Sequence, residues 1–259
     1  MTDWRQSLNL KKSLGQHFLK DESVSRRIVD VLMENPFTQL LEIGPGAGAL
    51  TKYLVECRNI HFKAVEIDRE KAAFLKAAYP ALVPDLLEED FLRMKIPFEG
   101  SFTVIGNFPY NISTQILFKI LDWKQNVERV IGMFQKEVAQ RIAAKKGNKT
   151  YGVISVLLQA FYRVEYLFEV SEQAFHPPPK VKSAVIRLTP IGEALPAKSE
   201  KMFFLLVKTA FNQRRKMLRN AVKGLFTEEV LREELFSRRA EELTVAEFAG
   251  LTWRMAVDE

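Results

Sequence analysis

Apolar residues recur in two alternating rhythms along the first two thirds of the chain. Short runs such as Leu40-Leu41-Glu42-Ile43 read as buried strands, and stretches spaced like Leu50, Tyr53 and Leu54 read as helices. The strand at 40–43 runs into Gly44-Pro45-Gly46-Ala47-Gly48. A second strand covers 62–67, and a helix follows from about Arg69 to Ala78. Leu86-Leu87 marks a third strand, ending before Asp90. A fourth covers 102–106 and breaks at Asn107-Phe108-Pro109-Tyr110. Ser113 or Thr114 is placed to cap the helix that carries Ile116, Leu117, Ile120 and Leu121. Another strand is predicted over 127–134, then a helix through Ala144, a polar loop at 145–149 and a helix over 151–160. Two late strands, near 162–170 and 183–188, have no helix between them, so they are expected to pair antiparallel at one edge. Strands alternating with helices predict an α/β fold, a mostly parallel Rossmann-like sheet with helices on both faces.

The rhythm changes at Thr189-Pro190-Ile191-Gly192-Glu193-Ala194-Leu195-Pro196, where two prolines and a glycine make a linker. Beyond it only helical spacing appears, as in Phe203, Leu206, Val207, Ala210 and Phe211. The expected division is a domain over 1–192, opening with a basic arm at 1–20, and a small all-helical domain over 197–259.

Composition narrows the function classes. The 259 residues are 47% hydrophobic, enough for a substantial core, yet no run of 18 apolar residues could span a bilayer. The first residues lack an apolar signal core, which predicts a cytoplasmic protein. One cysteine, Cys57, and three scattered histidines argue against a thiolate or imidazole metal site, so no metal is expected. Net charge is +6, unevenly spread. Residues 198–223 hold eight Lys/Arg and one acid, whereas residues 224–259 hold four Arg and nine acids. A concentrated basic stripe is the footprint of a phosphate-backbone partner, although a solvated helix face has the same composition. Adjacent amides and cations in Asn212-Gln213-Arg214-Arg215-Lys216 favour nucleic acid.

Two constellations carry chemistry. In Glu42-Ile43-Gly44-Pro45-Gly46-Ala47-Gly48, glycines between a strand and a helix let backbone approach a ligand closely. Alone this is a weak signal, equally an ordinary strand-to-helix turn. Two acids strengthen it. Glu66 ends the next strand, where an acid binds ribose hydroxyls in doubly wound folds, and Asp90 follows the third strand. All three would meet at the carboxyl edge of the sheet, and their negative rim suits a cationic cofactor. The second constellation is Asn107-Phe108-Pro109-Tyr110. Adenine's exocyclic amine is a poor nucleophile, because its lone pair is delocalised into the ring. An Asn oxygen and a backbone carbonyl, both accepting from that amine, would localise the pair, and Tyr110 offers a ring for stacking. The competing reading is a proline turn with a core aromatic.

Matching segments now run nearly the length of the chain. They are Leu14 to Leu19, Glu42 to Gly48, Asn107 to Thr114, Gln135 to Val138, Phe175 to Val181 and Ala210 to Lys216. Together they resemble the small-subunit ribosomal RNA adenine dimethyltransferases, the KsgA (RsmA) family. The resemblance implies a class I methyltransferase fold with S-adenosylmethionine as donor. It also implies dimethylation of two adjacent adenosines in a hairpin loop near the 3′ end of 16S rRNA in the small ribosomal subunit. By the same resemblance, His17 and Leu19 flank the cofactor, Gly44 holds its methionine part, Glu66 its ribose and Asp90 its adenine, with Gly46 also binding it. Asn107, Pro109 and Tyr110 form the catalytic set, with Asn107 touching both cofactor and target. The chain departs from the family at His17, commonly Asn, and at Phe108, commonly Leu.

Phe108 is expected to shape the base pocket, and Phe175, in the stiff Phe175-His176-Pro177-Pro178-Pro179 loop, to cover the second face of the base. A connector that packs Phe175 into the core is the alternative. Arg214, Arg215 and Lys216 are expected to hold RNA phosphates, and Lys11-Lys12-Ser13-Leu14-Gly15-Gln16 to order over RNA or cofactor. The expected partner is the small subunit, with no membrane, no obligate protein partner and a monomeric state. The rivals are a large-subunit 23S rRNA methyltransferase of the macrolide-resistance type, a non-catalytic assembly factor and a small-molecule methyltransferase. Arg239 to Phe248 resembles the small-subunit family more closely, the intact Gly44, Glu66, Asp90 and Asn107–Tyr110 set argues for retained catalysis, and the basic helical segment disfavours a small substrate.

Overall fold

The computed structural model describes residues 17–256; the basic segment Lys11 to Gln16 lies outside them. The chain divides into two compact units. The first comprises 17–139 and 165–190, and the second 140–164 and 191–256. Residues 140–164, which the sequence pattern groups with the first domain, therefore pack with the C-terminal helices.

In the first unit, β1 (Phe18–Leu19) leads into α1 (Glu22–Met33), whose N-terminus is capped by the Asp21 carboxylate accepting from Ser23 and Val24 N–H. Then come β2 (Gln39–Ile43), the short α2 (Thr51–Leu54), β3 (His61–Val65), α3 (Arg69–Ala78), β4 (Leu86–Leu87), β5 (Phe102–Asn107), α4 (Ser113–Asp122) and β6 (Val127–Gln135). α5 (Lys136–Ile142) leads out of this unit and α6 (Val153–Gln159) lies in the second. β7 (Tyr162–Val170) leads back, followed by β8 (Phe175–His176) and β9 (Ser183–Pro190).

Seven strands form one sheet in the order β4-β3-β2-β5-β6-β9-β7. The pairs from β4 to β6 are parallel, and β9 runs antiparallel to β6. β9 is therefore inserted between β6 and β7, with β7 at the edge. The central strands are nearly continuous apolar runs because helices cover both faces. Leu40, Leu41, Val104, Ile105, Val130 and Ile131 have no exposed surface. A second, two-stranded sheet pairs β1 with β8 across more than 150 residues, and no sequence periodicity announces so short a pairing.

One helix start differs from expectation. Neither Ser113 nor Thr114 caps α4; the N-cap is Ile112, without a side-chain bond. The Ser113 hydroxyl instead donates to the Tyr110 carbonyl at 3.2 Å, holding the preceding turn against the helix.

The second unit is built on α7 (Glu200–Asn212), capped by Ser199, with α8 (Leu218–Ala221), α9 (Glu228–Leu231) and α10 (Val245–Leu251). Thr244 and Glu247 close a reciprocal capping box on α10. Met202, Phe203, Leu206, Val207 and Ala210 form the buried stripe of α7, the spacing read from the sequence. No helix among the described residues is long and apolar enough to cross a membrane.

Candidate active site

Parallel strands deliver their carboxyl ends to one edge, and the turns that follow them enclose a cavity of about 250 Å³. Its walls include His17, Leu19, Gly44, Gly46, Glu66 and Asp90, together with Asn107, Phe108, Pro109 and Tyr110. The segments after β2, β3, β4 and β5 thus meet where the sequence pattern required.

The glycine turn sits at the end of β2. Gly44 and Gly46 have φ of +66° and +56°, a region other residues enter only with strain. Gly44 N–H donates to the Val65 carbonyl at 3.0 Å, so the turn is tied to the end of β3. Glu66, 6% exposed, reinforces that tie: its carboxylate accepts from Gly46 N–H at 3.1 Å and from Asp68 N–H at 2.9 Å. Burial raises the Glu66 pKa, and these two bonds oppose the rise. Asp90 is committed in part to its own turn, accepting from Leu92 N–H at 2.9 Å, with Arg93 at 3.6 Å.

Two ionisable groups in the wall carry no role that the sequence pattern assigns. Glu42, the last but one residue of β2, is 1% exposed and accepts from the Thr51 hydroxyl at 2.7 Å. Burial, with Glu66 adding repulsion, pushes its carboxyl up to about 8. Lys71, on the inner face of α3 and 1% exposed, pairs with Asp68 at 2.9 Å. Its spacing from Asp68 was visible in the sequence; its burial was not. Ile67 also lines the cavity, yet it is 55% exposed, an apolar side chain presented to solvent immediately after Glu66.

The second constellation occupies the end of β5. Asn107 Nδ2 donates to the His17 carbonyl at 3.3 Å, which leaves Oδ1 as the acceptor of that amide. The His17 ring lies 5.6 Å from the Tyr110 ring, and its Nδ1–H donates to the Pro177 carbonyl at 2.9 Å. The Tyr110 hydroxyl is bonded to the hydroxyl of Ser183, at the start of β9. Tyr110 is half-buried, and burial raises its pKa. Ser183 carried no sequence signal, because β9 begins more than 70 residues beyond Tyr110.

Of the two aromatic residues expected at the base pocket, Phe175 lies elsewhere and Phe108 lines the wall. Phe175 is 1% exposed and packs in a core cluster with Leu19, Ile28, Val170 and Val185. Its pairing in β8 turns the ring inward, so the core connector, and not a cover for the base, is the correct reading. Phe108 reaches the cavity wall but is also 1% exposed. Its ring sits edge-on to Phe134, with centroids 5.0 Å apart. A Cβ on Gly106 or on Gly132 would come within 2.6 Å of that ring. Phe108 therefore fills a slot between two glycines, and it is a floor, not a stacking surface. Arg214, Arg215 and Lys216 belong to the other unit.

The strand order, the reversed β9 and an acid-lined crevice at the carboxyl edge define a class I S-adenosylmethionine-dependent methyltransferase fold. Residues 7–251 match the family described as ribosomal RNA adenine dimethylase. Two similar relatives are both named Ribosomal RNA small subunit methyltransferase A. That of Cytophaga hutchinsonii is 50% identical over 95% of this chain and 97% of its own. That of Bacteroides fragilis is 51% identical over 93% and 90%. Among solved structures, a dimethyladenosine transferase from Plasmodium falciparum aligns with a TM-score of 0.73 at 22% identity, covering 90% of this chain and 94% of that one. The 23S rRNA methyltransferase ErmE aligns at 0.66 and 24%, covering 90% and 99%. The chain belongs to the ribosomal RNA adenine dimethylase family.

Proposed function

We propose that this enzyme transfers methyl groups from S-adenosylmethionine to N6 of two adjacent adenosines in a hairpin loop near the 3′ end of 16S rRNA, giving dimethyladenosines in the small subunit. The observation that carries the reading is the meeting of the glycine turn, Glu66, Asp90 and Asn107–Tyr110 on one cavity. About 50% identity to small-subunit enzymes favours this target over 23S rRNA, since the likeness to ErmE is one of fold. A cytoplasmic monomer with an RNA-binding second unit completes the proposal.

The donor fits the residues present. It is a cation with ribose hydroxyls, and the wall offers Glu66 and Asp90, together with Glu42, whose ionisation a bound cation favours, with backbone opened by Gly44 and Gly46 and with His17 and Leu19 at its side. When bound, it supplies an electrophilic methyl on a sulfonium whose departure drives the transfer. Asn107 Oδ1 accepts from the target amine and localises its lone pair, while Nδ2, held by the His17 carbonyl, fixes the amide's orientation. Pro109 and the Phe108 floor set the shape of the pocket. The Tyr110 ring stacks on the splayed base. The amine proton leaves to water after transfer, so no general base is needed. A monomethylated amine keeps one proton for Asn107 to accept in a second round.

The test combines the protein, labelled S-adenosylmethionine and undermethylated small subunits, with labelled nucleotides mapped by mass spectrometry. Label on the two adjacent loop adenosines of the 16S 3′ hairpin is expected. Label confined to large subunits, or none, would overturn the proposal.

Glu66→Ala is expected to weaken donor binding, since each lost bond to a charged acceptor costs about 1.5–3 kcal/mol. Glu66 also holds Gly46 N–H, so part of the loss comes from a loosened glycine turn. Calorimetry separates the two sources: Glu66→Gln, which retains an acceptor for the turn, should recover some affinity. Unchanged affinity in Glu66→Ala would remove Glu66 from the donor site.

A further inference from the structure

In the second unit, two basic segments 66 residues apart in sequence are joined through Glu241. The Glu241 carbonyl accepts from Gly147 N–H at 2.7 Å. Its carboxylate accepts from Arg214 Nε at 3.3 Å, and Arg214 Nη2 returns to the Asn148 carbonyl at 3.3 Å. The loop is closed on itself as well: Asn148 Oδ1 accepts from both Thr150 N–H and the Thr150 hydroxyl at 3.0 Å. Arg214, half-buried, therefore ties this loop to the segment around Glu241. Arg215 and Lys216 remain exposed beside it.

These ties build an open groove of about 520 Å³, whose walls include Gly147, Arg215, Lys216 and Arg239. Lys145, Lys146 and Lys149 flank Gly147 and are exposed. The two acids at the groove are already engaged: Glu241 with Arg214, and Glu242 accepting from Arg239 N–H at 2.6 Å. Three exposed cations thus line one concave strip and three more sit in the loop that supplies Gly147 to its wall, with both neighbouring carboxylates held by the protein itself. Met217, 48% exposed, adds an apolar surface inside it.

We infer that the loop 145–149 is a second phosphate-binding wall, and that it and Arg215-Lys216 hold one stretch of RNA backbone between them. The inference rests on the proposed rRNA substrate and extends its contact surface to a loop that the sequence marks only as polar. Charge complementarity selects the occupant. A phosphate backbone presents regularly spaced anions to a strip of cations, and its affinity follows the release of counterions.

The test is the salt dependence of binding to protein-free 16S rRNA and to whole small subunits, for wild type, Lys145→Ala/Lys146→Ala/Lys149→Ala and Arg215→Ala/Lys216→Ala. Each lost phosphate contact lowers the log–log slope by about 0.7–0.9, so the lysine variant should lose about 2–3 and the Arg215/Lys216 variant about 1.5–2. Donor affinity should stay at the wild-type value in both. A wild-type slope in the lysine variant, with a reduced slope in the Arg215/Lys216 variant, would overturn the inference and leave the proposed function standing. Loss on whole subunits but not on protein-free rRNA would also overturn it, because the loop would then face a protein. A wild-type enzyme that neither binds nor methylates rRNA would overturn the inference together with the reading beneath it.

Discussion

Asn107→Ala should lose about 10²–10³ in the single-turnover methylation rate, the cost of deleting one preorganised polar group that acts on developing charge. Binding of the subunit should be nearly unchanged, because the missing acceptor acts while the nucleophile forms and the loss falls on the catalytic step. Some donor affinity is expected to go too, since Asn107 lines the same cavity as Glu66 and Asp90. The variant also frees the His17 carbonyl, which now accepts from Asn107 Nδ2. Asn107→Asp, which keeps an oxygen acceptor but loses that donor, shows how much of the effect belongs to orientation. Tyr110 provides the companion result. Tyr110→Ala should cost roughly 1–3 kcal/mol of base stacking. Tyr110→Phe keeps the ring but loses the bond to Ser183, so a smaller loss of about 0.5–1.5 kcal/mol is expected. Ser183→Ala should match Tyr110→Phe if the hydroxyl serves only to hold the ring. Wild-type turnover by Asn107→Ala, or equal damage in the Phe and Ala variants at Tyr110, would disprove the amine pocket.

Glu42→Gln should stabilise the donor-free protein increasingly as pH rises. The Glu42 carboxyl is pushed from its ordinary value of 4.5 to about 8 by burial, with Glu66 adding repulsion. Between those values the folded protein holds a proton that the unfolded chain has released, so wild-type stability falls with rising pH. Glutamine keeps the size and an acceptor for the Thr51 hydroxyl, but it cannot ionise. The gap between variant and wild type should therefore widen by up to roughly 5 kcal/mol from pH 4.5 to pH 8 and then level off. Urea unfolding across that range measures it. A gap independent of pH would mean that the carboxyl is solvated through the cavity and titrates normally. The donor is expected to act in the opposite sense: its positive charge favours ionised Glu42, so it should stabilise wild type more than Glu42→Gln at alkaline pH.

What the chain states locally and what it leaves to packing divide along one physical line. Elements whose pattern repeats within a few residues were legible: α3 begins at Arg69 and ends at Ala78, and β7 spans Tyr162–Val170, as their spacing predicts. So were the turns after β2 and β5, where Gly44 permits a left-handed backbone that other residues avoid and Pro109 fixes its own φ. Because parallel strands must end at one edge, the order of Gly44, Glu66, Asp90 and Asn107 along the sequence already implied their meeting in space. The helical character of residues 200–212 was equally plain from its apolar stripe.

Contacts between distant segments carried no such signal. The pairing of Phe18–Leu19 with Phe175–His176 involves two residues on each side, too few for a period, and it alone sends Phe175 into the core. The Tyr110–Ser183 bond depends on β9 entering the sheet beside β6, and the burial of Glu42 depends on helices closing over both faces. Residues 140–164 joined the C-terminal helices because their apolar faces found partners there, a choice that hydrophobicity leaves open. Arg214 and Arg215 are identical neighbours in sequence, yet one ties a loop and the other faces solvent. The sequence by itself determined the α/β class, the ligand edge and the residue types gathered there. The tertiary structure decided which of those side chains are spent on holding the protein and which stay open to a ligand. Local pattern fixes backbone geometry and polarity, but a side chain's partners are set by segments that meet only on folding.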